Sequence, residues 1–287
     1  MTRRIRKAAV SLVVAVATAA AAIAAADGAG ADPTSSSSTV TRSPTTTTTE
    51  STTTATTTAP VTVTDLDLPD GVSVAVLDLT DADTVVVGDG EQYDTASIVK
   101  VDIVAALLWQ TGGDLTEQQR SLARAALTVS DNTAATTLFE QIGGADGLDE
   151  FNAAIGLTDT SAGANGNWGL TQTTVSDQIR LLEVTLGDDA SVLTEDSRDW
   201  LAAVMSQVVD GQDFGVTAAA DDPEDAALKV GYLQRTATGR WDVTSIGRIE
   251  SGGHTLLVAV LAHDQATMSA GVAAIEQATV SAVSAIS

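Results

Sequence analysis

A serine and a lysine stand three residues apart at the start of a long apolar stretch, in the tetrapeptide Ser97-Ile98-Val99-Lys100. On a helix, residues at this spacing lie on one face, so the serine hydroxyl and the lysine amine can touch. A serine nucleophile needs such a contact, because an adjacent base must take the proton of the hydroxyl. The tetrapeptide alone is a weak signal, since the same residues also fit an ordinary helix start.

Two further segments could complete a site of this kind. Ser130-Asp131-Asn132 lies at a predicted break between helices and offers a hydroxyl and an amide. Lys229-Val230-Gly231 lies on a predicted strand, where the glycine would let a ligand approach the backbone closely. Together the three segments supply the nucleophile, base and proton relay that acyl transfer requires.

The lysine content of the chain supports this grouping. Apart from Lys7 near the N-terminus, Lys100 and Lys229 are the only lysines, and every other cation is arginine. A solvated surface lysine is the usual alternative. That alternative is disfavoured here, because both lysines have apolar neighbours in the sequence.

Lys100 can act as a base only if its pKa is low. At the ordinary value of ~10.4, about one lysine in 2,500 is neutral at pH 7. Burial and a second ammonium nearby both lower the pKa of a lysine, and a value near ~8 would make about one in ten neutral. We expect the apolar neighbours of Lys100 and the charge of Lys229 to provide these two effects.

The elements that must position these residues follow from the hydrophobic pattern. A β-hairpin is predicted from Val72 to Val87, a buried central helix from Ser97 to Trp109, and further helices up to Val209. Three strands are predicted between Ala227 and Ala262, and a last helix over 267–286. Strands at both ends with helices between them indicate an α+β fold, in which an antiparallel sheet from the N- and C-terminal segments is flanked by helices and carries an all-helical insertion.

The N-terminal part is predicted not to belong to the folded domain. Residues 1–31 carry basic residues, an apolar run and a small-residue cleavage site, which favours a secretory signal peptide over an uncleaved membrane anchor. Residues 32–64 are almost entirely Ser, Thr, Ala and Pro and are expected to form a disordered linker. The domain is then 65–287, in a secreted or extracytoplasmic protein that the N-terminal segment could tether to a membrane.

Composition excludes several partners. The chain has no cysteine and only two histidines, so we expect no metal site and no cofactor. A formal net charge of -24 argues against binding to nucleic acid, which needs a basic surface. We expect a monomer.

The three segments, in this order, resemble the motifs S-x-x-K, S-D-N and K-T-G of the penicillin-recognising serine enzymes, which are the class A β-lactamases and penicillin-binding proteins. The resemblance covers Val72 to Ile286. It implies an acylated nucleophile, its base, a relay of the proton to the leaving nitrogen, a residue that binds the substrate amide, and a lysine near the substrate carboxylate. In that order these are Ser97, Lys100, Ser130, Asn132 and Lys229.

The resemblance also places an oxyanion hole at the backbone N–H groups of Ser97 and Tyr232, beside Gly231. The sequence departs from the class A pattern in two ways. No Asp or Glu occurs between Asp159 and Asp177, where those enzymes carry the glutamate that frees the acyl group. Val230 replaces the K-T-G threonine, so a hydroxyl for the substrate carboxylate is missing.

Three arginines could compensate for that hydroxyl, namely Arg235, Arg240 and Arg248, although exposed strand arginines are the better interpretation. Three functions follow. The first is an exported serine hydrolase that is acylated by β-lactams or related amides and deacylates slowly. The second is a D-alanyl-D-alanine carboxypeptidase or penicillin-binding protein acting on peptidoglycan peptides. The third, a non-catalytic wall-binding module, has no use for a buried lysine.

Overall fold

The computed structural model describes residues 61–286. The predicted signal segment and most of the predicted linker lie outside these residues. Eight strands are present in the described part: β1 Thr62–Val63, β2 Val72–Asp78, β3 Thr84–Val87, β4 Tyr93–Asp94, β5 Gln172–Thr173, β6 Ala227–Gln234, β7 Trp241–Ser251 and β8 His254–Gln265. Seven α-helices accompany them: α1 Val99–Thr111, α2 Glu117–Thr128, α3 Asn132–Gln141, α4 Gly144–Ile155, α5 Val175–Thr185, α6 Glu195–Met205 and α7 Met268–Val283.

The main sheet is built from both ends of the described chain, as predicted. Its strand order is β1-β3-β2-β8-β7-β6, and the N-terminal and C-terminal strands join where β2 pairs with β8 in antiparallel register. Helices cover both faces, because α7 packs on one side and the helical insertion between β4 and β6 packs on the other. The predicted α+β fold is confirmed.

The first strand corrects two details of the prediction. Thr62 and Val63 pair with Thr84 and Val85 in parallel orientation, so the sheet is not purely antiparallel. This strand also lies before Asp65, inside the segment predicted to be linker. Periodicity could not reveal a strand of two residues, since it is too short to show alternation.

Helix α1 is buried almost all round, as its apolar sequence predicts. Residues from Val99 to Leu108 are all buried, and the helix ends at Gly112 in the left-handed conformation that glycine adopts readily. The predicted capping box between Thr116 and Gln119 at the start of α2 is also present. None of the helices within residues 61–286 is long and apolar enough to cross a membrane.

Candidate active site

Ser97 lies in a short 3-10 helix, Ala96–Ile98, between β4 and α1. The prediction that the α-helix opens at Ser97 is therefore wrong by one short turn. The preceding residue, Ala96, has a φ of 49°, a conformation that is costly for a residue with a Cβ atom and that is concentrated at functional sites. Ser97 is partly exposed, and its hydroxyl makes no hydrogen bond to another described residue. The predicted contact between this hydroxyl and the Lys100 amine is therefore not formed, because Lys100 Nζ bonds to Ser130 and Asn132 instead.

Lys100, one helical turn further on, is fully buried and forms the centre of a polar cluster. Its Nζ donates to the Ser130 carbonyl oxygen at 2.7 Å, to Ser130 Oγ at 2.8 Å and to Asn132 Oδ1 at 2.8 Å. Three donated hydrogen bonds satisfy an ammonium group completely. The predicted grouping of Lys100 with the Ser130-Asp131-Asn132 segment is thus present in the structure.

The same contacts show how Lys100 could exchange a proton. A neutral amine has only two N–H donors and one lone pair, so one of the three contacts must reverse when Lys100 loses its proton. Of the three acceptors only the Ser130 hydroxyl can also donate. Ser130 is therefore placed to pass a proton to or from Lys100.

Burial lowers the pKa of Lys100 to about 7, against a smaller opposing effect of the Asp131 carboxylate. About half of the molecules then carry a neutral Lys100 at pH 7. Burial, together with the charge of Lys100, lowers the pKa of Lys229 to about 7 as well. The predicted repulsion between the two ammonium groups therefore appears chiefly in the pKa of Lys229.

The segment that carries Ser130 is held in place by its own helix. Asp131 is the N-cap of α3, and its Oδ1 accepts from the Ala134 N–H at 2.8 Å. Ser130 itself has a φ of 56°, the second strained non-glycine residue of the site. Asn132 is exposed; Lys100 occupies its Oδ1, and its Nδ2 makes no hydrogen bond to another described residue.

Lys229 lies on β6, an edge strand of the main sheet. It is 0% exposed, and its Nζ donates to the Val230 carbonyl oxygen at 2.9 Å and to Gln212 Oε1 at 3.4 Å. None of these bonds goes to Ser130, although the resemblance implies that the two residues are close. Its neighbour Val230 is buried among the residues that α7 covers, on the opposite face of the sheet.

Gly231 has a different role from the one predicted for it. A Cβ atom at this position would lie 2.6 Å from the Ser97 nitrogen and 2.8 Å from the Thr95 carbonyl oxygen. The missing side chain therefore makes room for the backbone of the nucleophile segment, and the space that it leaves is not open to a ligand. This close approach brings β6, with the adjacent Tyr232, against Ser97.

The loop between α4 and α5 covers the cluster with an aromatic ring. Lys100 Nζ lies 5.1 Å from the centre of the Trp168 ring, and Trp168 Nε1 donates to Thr136 Oγ1 at 3.1 Å. An indole thus faces the lysine from the segment that lacks any carboxylate. Gln172, further along the same loop, donates to Asp94 Oδ1 and to the Leu170 carbonyl oxygen.

The three arginines are engaged elsewhere. Arg235 pairs with Asp94 and Asp242, Arg240 pairs with Asp264, and Arg248 donates to the Leu186 carbonyl oxygen. Their side chains bond to other parts of the fold. Only Arg240 is exposed and only Arg248 lies on a strand, so the interpretation as exposed strand arginines holds only in part. The contacts of Trp168 and Gln212 with the two lysines were not foreseen, because no local pattern in the sequence marks them.

A metal ion has little to hold it near this cluster. Within residues 61–286, ligand atoms of Asp78, Asp81 and His254 come within 4.8 Å of one another. His254 Nδ1 is already bonded to Asp78 Oδ2 at 2.7 Å, where β8 begins. These groups make no contact with Lys100 or Lys229.

Comparison with known proteins bears on the family and the fold. Residues 113–286 match the family model described as the β-lactamase enzyme family. No curated protein matches the sequence. A class A β-lactamase from Bacteroides cellulosilyticus superposes with a TM-score of 0.61 at 20% identity, over 75% of this chain and 92% of that chain.

Two other solved structures are similar to the same extent. An ancestral class A β-lactamase has a TM-score of 0.62 at 23% identity, over 75% of this chain and 94% of its own. The protein PBP-A, solved as a leucine-to-glutamate mutant in an acyl-enzyme complex with penicillin G, has a TM-score of 0.62 at 19% identity, over 75% and 89% of the two chains. At these identities the likeness shows a shared fold.

Proposed function

The chain belongs to the β-lactamase enzyme family, and from this premise we propose that it is an exported serine hydrolase that β-lactams or related amides acylate at Ser97 and that releases the acyl group slowly. The observation that carries the proposal is the buried Lys100, whose pKa of about 7 leaves it half neutral at neutral pH. Lys100 lies one helical turn from Ser97, whose hydroxyl makes no hydrogen bond to another of the residues that the structure describes.

Acylation uses the residues in turn. The neutral Lys100 takes the Ser97 proton as Ser97 Oγ bonds to the substrate carbonyl carbon. The backbone N–H groups of Ser97 and Tyr232 stabilise the resulting oxyanion. The C–N bond then breaks, Ser130 gives its proton to the leaving nitrogen, and Lys100 returns a proton to Ser130.

Slow release follows from the composition of the covering loop. Hydrolysis of the ester at Ser97 needs a base to activate water, and a positioned base is worth about 10² to 10⁴ in rate. Between Asp159 and Asp177 the chain has no carboxylate, and the indole of Trp168 occupies the space beside Lys100. The aromatic ring excludes water from the side of Lys100 that it covers.

A second candidate function is a D-alanyl-D-alanine carboxypeptidase or penicillin-binding protein that acts on peptidoglycan peptides. It is supported by the structural likeness to PBP-A, a mutant of which was solved as an acyl-enzyme complex with penicillin G. Release of D-alanine from a peptide ending in D-alanyl-D-alanine, dependent on Ser97, would favour this function over β-lactam hydrolysis.

The proposal is tested by mixing the protein with a fluorescent penicillin and following both labelling and release. We expect a label that survives denaturation, persists after excess unlabelled penicillin is added, and is absent in Ser97→Ala. A protein that takes up no Ser97-dependent label would overturn the proposal. Export is tested separately, by fractionating cells that express the full chain and locating the labelled protein.

A further inference from the structure

Gln212 connects the two halves of the candidate site. It lies in the segment between α6 and the short 3-10 helix Val216–Ala219. Its Oε1 accepts from Lys229 Nζ at 3.4 Å, and its Nε2 donates to the Val129 carbonyl oxygen at 3.3 Å, next to Ser130. A single carboxamide therefore bridges β6 and the segment that carries the proposed proton relay.

Both side-chain contacts of Gln212 are long. Ordinary N–H···O hydrogen bonds cluster near 2.9 to 3.0 Å. At 3.3 and 3.4 Å the amide is held loosely, so it can exchange a partner at little cost. Gln212 is also partly exposed, whereas Lys229 beneath it is fully buried, which places the amide between the lysine and solvent.

The candidate site lacks a hydroxyl for a substrate carboxylate, and the Gln212 amide can supply a hydrogen-bond donor in its place. Val230 offers no hydroxyl, and its side chain is buried on the α7 side of the sheet. The side chains of Arg235, Arg240 and Arg248 are bonded to other groups. Within the described residues, the side chain of Gln212 bonds to Lys229, whereas the side chains of Val230 and the three arginines do not. Gln212 also carries an N–H donor whose state does not change with pH.

We propose that Gln212 is a substrate-binding residue that selects acyl donors carrying a carboxylate: its Nε2 leaves the Val129 carbonyl oxygen and donates to the substrate carboxylate, while its Oε1 still accepts from Lys229. The inference rests on the proposed function, because it assumes that acyl donors bind between Ser97 and Lys229. A bond to a charged oxygen replaces a long bond to a neutral one, which makes the exchange favourable.

The test compares penicillin G with its methyl ester, which lacks the carboxylate charge. We expect Gln212→Ala to lower the second-order acylation rate constant for penicillin G roughly tenfold, as the loss of one hydrogen bond to a charged group predicts. The rate constant for the methyl ester should stay within about twofold, since the bond in question is absent there. Gln207→Ala is the matched control, because Gln207 is an exposed glutamine of the same segment whose side chain donates to the Ala203 carbonyl oxygen and makes no contact with either lysine.

A direct binding measurement separates a binding role from a merely structural one. In a Ser97→Ala background, Gln212→Ala should raise the dissociation constant for penicillin G by a similar factor, measured by calorimetry, and should leave the dissociation constant for the methyl ester unchanged.

Equal losses with penicillin G and its ester would overturn the inference, since they would indicate a general disturbance of the site. Faster acylation by penicillin G in Gln212→Ala would also overturn it, because Gln212 would then be a cap that obstructs Lys229. Failure of the unaltered protein to form any Ser97 adduct would instead refute the proposed function, and this inference with it. Two results together support both the inference and the proposed function. Gln212→Ala should slow acylation by penicillin G but not by its methyl ester, and the unaltered protein should form the Ser97 adduct.

Discussion

Trp168 offers the sharpest perturbation of the candidate site, because its ring centre lies 5.1 Å from Lys100 Nζ. Replacing it in Trp168→Glu would place a carboxylate near Lys100, in a loop that otherwise has none. If the missing base is what limits release of the acyl group, deacylation should accelerate by about 10² to 10⁴.

The same substitution should slow acylation at neutral pH. Opposite charges about 5 Å apart attract by about 3 kcal/mol at an effective dielectric constant of ~20, and solvent screening at this partly exposed position reduces the effect. The attraction stabilises the Lys100 ammonium, so the neutral fraction at pH 7 falls from one half by roughly fivefold to fiftyfold. Acylation should therefore slow by that factor at pH 7 and recover by about pH 9.

The assay measures labelling and release of a fluorescent penicillin at pH 7 and pH 9. Trp168→Gln is the matched control, because it removes the indole and adds a side chain of the same shape as glutamate without the charge. The reasoning would be refuted if release from Trp168→Glu were no faster than release from Trp168→Gln. If Trp168→Glu acylated at pH 7 as fast as Trp168→Gln, the expected stabilisation of the Lys100 ammonium by the glutamate charge would be contradicted.

Three further outcomes are expected. Acylation of the unaltered protein should rise with pH through about 7 as Lys100 loses its proton, and Lys100→Met should abolish it, as stopped-flow labelling would show. The free energy of unfolding should rise between about pH 7 and pH 10 by about 1 kcal/mol per pH unit for each buried lysine, because the unfolded chain binds more protons there. In urea titrations of the Lys100→Met and Lys229→Met variants, the free energy of unfolding should depend less steeply on pH. Gly231→Ala should lower acylation at least a hundredfold by displacing Ser97, whereas Gly169→Ala, where a Cβ atom meets nothing closer than 3.8 Å, should leave the rate within a few-fold.

The features that the sequence predicts are those with a local physical cause. The capping box at Thr116 and Gln119 is encoded within four residues, and the buried character of α1 follows from its continuous apolar run. The three motifs that contain Ser97, Ser130 and Lys229 could be recognised from the sequence, because the residues of each motif lie within four positions of one another. Burial of Lys100 and Lys229 was also foreseeable, since their sequence neighbours are apolar.

The features that the sequence did not predict depend on distant contacts. Gln212 meets Lys229 from 17 positions away, in a segment with no regular periodicity. Trp168 reaches Lys100 from a loop whose path is fixed by the fold around it. Gly231 was expected to admit a ligand, but the close approach of Ser97 occupies that space, and only the packing of β6 against the nucleophile turn could show this.

The most direct test of acylation with slow turnover is intact-protein mass spectrometry after mixing with penicillin G. We expect one adduct with the mass of the whole penicillin G molecule, located on the peptide that contains Ser97 and persisting long after free penicillin is removed. An adduct that disappears as fast as it forms would show that a base able to activate water exists elsewhere in the chain. The absence of any adduct on Ser97 would contradict the proposed function itself.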